Sequence, residues 1–334
     1  MRKIPLFLIS FLFGLGLFVW VIKFVGWQEI KRSILVFTGW QGLVIFILTL
    51  ILFLEINWKW KEILKTEGIN IPFLDLFKAN LAGFSVTYFF PTFLLGGEFL
   101  RGYILKKKYN ISWSKGMASV FIDRILDWTT NLLVVFIGIG FFLLKISILP
   151  KKLSIIIGLT FLFWVIGTIF FYTMAFKKKS IVKFFLKSSG YKNQNSELLE
   201  TEKDTILFFK PKQVKFWEIF GIALLEELII LLRVFIFVNF FGKKINSLYT
   251  LPISGFSYLA TIIPIPASLG IQDALQAFAF NSLGLGASLG TAFTLIIRAV
   301  EIVVALVGIG LALRFGIKLF GGILPQDEIK EIPD

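Results

Sequence analysis

Pro91-Thr-Phe-Leu-Leu-Gly96-Gly97-Glu98-Phe-Leu-Arg101 places a proline, two glycines, a carboxylate and a guanidinium within eleven residues of an otherwise apolar chain. A helix crossing lipid disfavours that combination. Pro91 removes a backbone donor, Gly96 and Gly97 loosen the helix, and Glu98 and Arg101 bring charge. Broken backbone and charge are tolerated at membrane depth where protein or a water-filled cavity covers them. The stretch therefore reads as a re-entrant or broken helix lining a polar pocket. An interfacial loop between two spans is the plainer alternative.

The stretch recurs. Pro264-Ile-Pro266-Ala-Ser-Leu-Gly270-Ile-Gln-Asp273 follows about 175 residues later. Pro91 to Glu98 has the offset of Pro266 to Asp273. Arg124 follows Glu98 by nearly the interval at which Arg298 follows Asp273, and an acid lies three residues beyond each arginine, Asp127 and Glu301. Phe-Ser precedes both copies (84–85 and 256–257), and the long apolar run after each arginine ends near a Gly-Ile-Gly (138–140 and 308–310), with an offset of a few residues between copies. Repeats with interrupted hydrophobic segments at matching positions point to a transporter-type site.

Composition fixes the class. The chain has 334 residues, 57% of them hydrophobic, with a mean hydropathy of +0.83. A soluble domain of this length cannot hide that much apolar surface. Strand alternation is absent, so we expect an all-α, polytopic integral membrane helix bundle rather than a barrel. The absence of cysteine and histidine removes disulfides, thiolate nucleophiles, Ser-His-Asp triads and the commonest metal ligands. No glycine-rich nucleotide loop with a lysine is present. We assign no catalytic residue, metal or cofactor, and no nucleic acid is expected as a partner. The net charge of +14 fits orientation by cytoplasmic lysines.

Apolar runs predict six full spans, at about 4–25, 33–56, 115–145, 153–175, 216–241 and 287–316, and two broken elements, at about 73–95 and 247–282. Trp58-Lys59-Trp60-Lys61 at the end of the second run reads as an interfacial aromatic and basic pair. The expected organisation is an N-terminal membrane half (1–175), a cytoplasmic linker (176–215), a C-terminal membrane half (216–321) and a polar tail (322–334). With the N-terminus in the cytoplasm and both broken elements returning to their side of entry, about 23 basic residues lie inside and about 8 outside. Both termini are then cytoplasmic in a multi-pass cell-membrane protein. Three full spans separate the broken elements, so the two enter from opposite faces as an inverted repeat.

Centre-of-helix Arg, Asp or Glu costs about 2.5–3.5 kcal/mol each. Glu98, Arg124, Asp127, Glu226, Glu227, Arg233, Asp273, Arg298 and Glu301 must therefore pair or face water. One reading makes Arg124–Asp127 and Arg298–Glu301 intrahelical pairs holding a symmetrical core. The other points Arg124 and Arg298 into a cavity to bind a phosphate, since the guanidinium fork matches phosphate oxygens and stays charged.

Together, the Pro91…Gly97-Glu98…Arg101 run, Asp123-Arg124…Asp127, Pro266…Gly270-Ile-Gln-Asp273 and Arg298 resemble the membrane domain of lysylphosphatidylglycerol synthase, over about residues 5–316. The resemblance implies a flippase moving phospholipid or aminoacylated phospholipid between leaflets. It marks Pro91, Gly97, Glu98, Arg101, Arg124, Gly270, Asp273 and Arg298 as site positions. In that family a soluble synthase domain would follow the membrane domain, whereas this sequence ends at Asp334, so we expect any aminoacyl lipid to come from a separate synthase partner. Gly270-Ile-Gln-Asp273 stands where the family has Gly-x-x-Glu, which widens the candidate partner from an anionic phospholipid to a polyprenyl-phosphate-type lipid. The expected function is translocation of an anionic or phosphate-bearing lipid, with Glu98, Arg101, Asp127, Asp273 and Glu301 holding or neutralising the headgroup arginines. The alternatives are a membrane-embedded transferase acting on a lipid phosphate, or an accessory subunit of a lipid-modifying enzyme.

Overall fold

The computed structural model describes residues 26–35, 37, 39–90, 96–146, 151–184, 196–209, 214–242, 245–262 and 265–315, with positions 12, 19 and 23. The first expected span (4–25), Pro91 and the tail (322–334) therefore lie outside the described residues, except for positions 12, 19 and 23. Every described regular element is helical. In chain order these are α1 (Trp27–Leu35), α2 (Trp40–Thr66), α3 (Phe73–Phe89), α4 (Gly96–Tyr109), α5 (Trp113–Ile146), α6 (Lys151–Phe176), α7 (Ser196–Phe208), α8 (Val214–Asn239), α9 (Thr250–Thr261), α10 (Ile271–Ser282) and α11 (Ala287–Arg314).

Three helices, α2, α5 and α11, are long and apolar enough to cross a membrane among the described residues. Their lipid character shows in what they leave outside. Phe136, Leu144, Val303 and Leu306 are exposed, as are Leu159 and Phe163 of α6. Exposed apolar area on this scale suits a hydrocarbon solvent. α2 differs from the expected span at both ends. It begins at Trp40, separated from α1 by a turn, and runs on through Trp58-Lys59-Trp60-Lys61 to Thr66. Gly68, at φ +73°, then reverses the chain as a left-handed glycine can.

Of the first expected broken element (73–95) the structure describes α3, the element's last residues lying outside the described ones, and α4 follows beyond those bounds; the second holds the pair α9 and α10. α3 has 17 residues and α4 has 14; α9 and α10 have 12 each. At 1.5 Å per residue these span about 18–26 Å, less than the ~30 Å hydrocarbon thickness. Between α9 and α10 the backbone takes left-handed values at Ala267 (φ +52°), Ser268 (φ +48°) and Gly270 (φ +77°). A β-carbon makes such values costly, so this is a specified break.

The packing is reciprocal. α3 lies against α11, and α9 lies against α5. α4 rests on α5 as α10 rests on α11, while α2 packs against α8. α1 joins α11, and α7 joins α5. Glycines allow the two main crossings. Gly308 of α11 faces the Leu81 carbonyl of α3, and Gly138 of α5 faces the Leu251 carbonyl of α9. Aromatic packing forms one core cluster, where Phe37, Phe237, Phe280 and Phe293 meet beside Ile253. Trp60, Leu76, Val86, Ile104 and Ala312 belong to a second cluster. Within the expected linker, α7 is part of the packed protein: Thr201, Thr205 and Ile206 are buried.

Candidate functional site

Buried charge gathers in two places, one for each broken element. Glu98 lies in the first turn of α4 and accepts from Arg124 Nε of α5 at 2.6 Å. Asp273 lies in the first turn of α10 and takes both guanidinium nitrogens of Arg298 from α11, at 2.7 and 3.2 Å. Each acid sits at a helix N-terminus, where the macrodipole favours negative charge. Asp273 also accepts from the Gly270 amide at 2.9 Å and from the Thr294 hydroxyl. Arg124 and Arg298 thus join the short second helix of each broken element to the long helix that follows it.

Both arginines reach carboxylates beyond their own helices. Arg124 does reach Asp127 at 3.6 Å, but Arg298 salt-bridges Asp273. The positive charges of Arg233 and Arg298 act on Glu301. Arg233 of α8 donates to Thr49 of α2 at 3.2 Å.

The larger cluster surrounds Lys59. Sequence reasoning placed this residue at an interface, yet it is fully buried. Its ammonium bonds Asp127 of α5 and Glu226 of α8, with Asp123 at 3.5 Å. Arg101 of α4 pairs with Asp123 at 2.7 Å, and its guanidinium lies 3.9 Å from the Trp60 ring centre. Lys59 and Trp60 turn inward while Trp58 remains exposed. The missed signal was spacing. Leu52, Glu55, Lys59 and Ile63 recur at three- and four-residue steps and share a helix face. Glu227, beside Glu226, accepts from Tyr258 of α9.

Gly97 and Gly270 serve the backbone. A β-carbon at Gly97 would sit 2.2 Å from both the Gly83 carbonyl and Thr87 Oγ1, so Gly97 sets the approach of α3 to α4. Gly270 is the residue before α10, and its amide is held by Asp273. Glu98, Arg101, Arg124 and Asp127 come together around the Lys59 cluster, whereas Asp273, Arg298 and Glu301 form the second group. Among the described residues, no group of three or more Asp or Glu side chains is arranged to hold a metal ion.

The two clusters differ in access. The Arg124 side chain is 34% exposed against 8% for Arg298, while Glu98 and Asp273 are both buried.

The chain is 23% identical to a UPF0104 membrane protein of Methanocaldococcus jannaschii, covering 89% of each. It is 27% identical to a UPF0104 membrane protein of Pyrococcus horikoshii, over 84% of this chain and 89% of that one. It is 23% identical to another from Methanothermobacter thermautotrophicus, over 84% and 87%. No solved structure matches. Residues 7–308 match the family described as the lysylphosphatidylglycerol synthase TM region. That match spans both broken elements, both acid–arginine pairs and the Lys59 cluster, and the chain belongs to that family.

Proposed function

We propose that this protein moves an anionic or phosphate-bearing lipid between leaflets, using Arg124 and Arg298 in turn as headgroup ligands. The observation that carries the reading is the repeated acid–arginine pair at the start of α4 and α10, with unequal access. A phosphate offers an arginine the same bidentate acceptor geometry as a carboxylate. A headgroup phosphate can therefore replace Glu98 on Arg124 and keep that guanidinium paired, and Asp273 can yield Arg298 in the same way. Each acid holds its arginine when no headgroup is present.

The packing supports an inverted repeat. Within α3–α5 and α9–α11 the contacts are reciprocal: α3 on α11 matches α9 on α5, and α4 on α5 matches α10 on α11. Two halves related in this way can exchange conformations, so that the open pair closes as the closed pair opens. Six full spans with two re-entrant elements, in the cell membrane with both termini cytoplasmic, fit this reading and the distribution of lysines. The lipid is an anionic phospholipid, an aminoacylated one made by a separate synthase, or a polyprenyl phosphate.

The test is leaflet exchange of fluorescent anionic and zwitterionic lipids in proteoliposomes. Wild type is expected to exchange anionic lipid faster. Arg124→Gln and Arg298→Gln are each expected to slow it about 10–100-fold, the equivalent of the ~1.5–3 kcal/mol of a hydrogen bond to a charged group. Exchange of no lipid by folded wild-type protein would overturn the proposal.

A further inference from the structure

Glu55 has no place in the headgroup site, and its surroundings are unusual. It is 5% exposed, and both carboxylate oxygens are buried without a hydrogen-bond partner. It lies one turn before Lys59 on the same face of α2. The ammonium that would neutralise it is already occupied. Lys59 has three donors, and Asp123, Asp127 and Glu226 surround it. The charges facing Glu55 are Glu226 from α8, Lys59 from α2 itself, and Asp127 and Asp123 from α5. Behind them, α4 supplies Arg101 to Asp123 and Glu98 to Arg124. Neither α3 nor α11, which also touch α2, adds a charged group to that set.

Taken as ionised, this connected cluster holds three cations (Lys59, Arg101, Arg124) and five carboxylates (Glu55, Glu98, Asp123, Asp127, Glu226). A buried assembly with that imbalance has to take up positive charge. The carboxylates are not arranged around a metal position. Glu55 is also the group without a donor. Protonation cures both defects, because a carboxylic acid carries less charge and gains an O–H donor.

We propose that Glu55 is a proton-binding site that couples lipid movement to a proton gradient. Its carboxylate takes one proton from the aqueous face open at that moment and, as a neutral acid, donates to a neighbouring carboxylate oxygen. It releases the proton to the opposite face after the two halves exchange. This rests on the lipid-translocation reading for what is coupled, but not for the presence of the proton. One proton carried with one singly charged lipid moves no net charge. A gradient of one pH unit then sustains about a tenfold ratio of lipid between leaflets, enriched on the alkaline side.

The experiment imposes a one-unit pH gradient on proteoliposomes containing fluorescent phosphatidylglycerol, with protein-free vesicles as reference. It measures both the exchange rate and the final leaflet ratio. Wild type is expected to approach the tenfold ratio. Glu55→Gln, which imitates the neutral acid, is expected to exchange lipid while leaving the leaflets equal. Wild-type exchange with equal leaflets, or an undiminished ratio in Glu55→Gln, overturns the coupling and leaves the flippase reading standing. If wild type exchanges no lipid, the flippase reading fails instead, and infrared spectroscopy decides the proton site. The C=O stretch of a buried protonated carboxyl is expected at neutral pH in wild type and should be lost in Glu55→Gln. Its absence from wild type would remove the site altogether.

Discussion

Lys59→Met is expected to destabilise the folded protein by about 3–5 kcal/mol, the usual consequence of removing one partner from a buried charge network. The substitution preserves most of the apolar stem, so little packing is lost. What remains is Asp127 and Glu226 without their ammonium, and Asp123 held by Arg101 alone. Thermal unfolding in detergent, read against Lys61→Met, checks the prediction. Lys61 ion-pairs with nothing among the described residues, and its replacement is expected to stay within about 0.5 kcal/mol. Adding Glu226→Gln to Lys59→Met should recover part of the loss, because one stranded charge disappears with its partner. Equal effects at positions 59 and 61 would return Lys59 to the interfacial role that its neighbours suggest.

That contrast shows what the sequence made legible. The two broken elements were visible because proline, glycine and charge disrupt apolar runs, and the structure gives helix–break–helix at 250–282. The acid–arginine spacing was visible too. Glu98 to Arg124 and Asp273 to Arg298 nearly match along the chain, and each acid is salt-bridged to that arginine. The pairing was harder to see. A three-residue step suggests Arg298–Glu301, whereas the turn from α10 into α11 also brings Asp273 to the guanidinium. Local spacing describes one helix face; it does not say which neighbouring helix arrives there. Lys59 was obscured for a similar reason. Trp-Lys-Trp-Lys resembles a membrane boundary in composition, and only the face shared with Glu55 and Ile63 marks it as internal. α7 was hidden inside a polar stretch, because Thr201 and Thr205 bury themselves by bonding carbonyls one turn back.

The glycines at the crossings carry the second large prediction. Gly308→Ala would put a β-carbon 2.2 Å from the Leu81 carbonyl, and Gly138→Ala would put one 2.5 Å from that of Leu251. Both obstacles are backbone, so no side-chain rotation relieves them. Helices in lipid associate largely through such close approach at small residues, and overpacking costs about 1–3 kcal/mol per site. The crossings join different helix pairs, so the costs should add, to about 2–6 kcal/mol in the double variant. Gly140 and Gly310, two residues further along the same helices, meet nothing within 4 Å. Alanine there is expected to stabilise by about 0.5–1 kcal/mol through helix propensity alone. Unfolding midpoints for the four single variants and the 138/308 double would therefore differ in sign within each Gly-Ile-Gly. Matched losses at 138 and 308 would mean that the two halves grip each other with similar strength. If lipid exchange requires those grips to tighten and loosen alternately, each alanine should also bias which acid–arginine pair is open. Gly308→Ala loosens α3 from α11 and Gly138→Ala loosens α9 from α5, so the two should shift the accessibility of Arg124 and Arg298 in opposite directions. Cysteine labelling at those positions, in a chain that has no native cysteine, would read that shift. A shift in the same direction for both variants would contradict the exchange of conformations between halves.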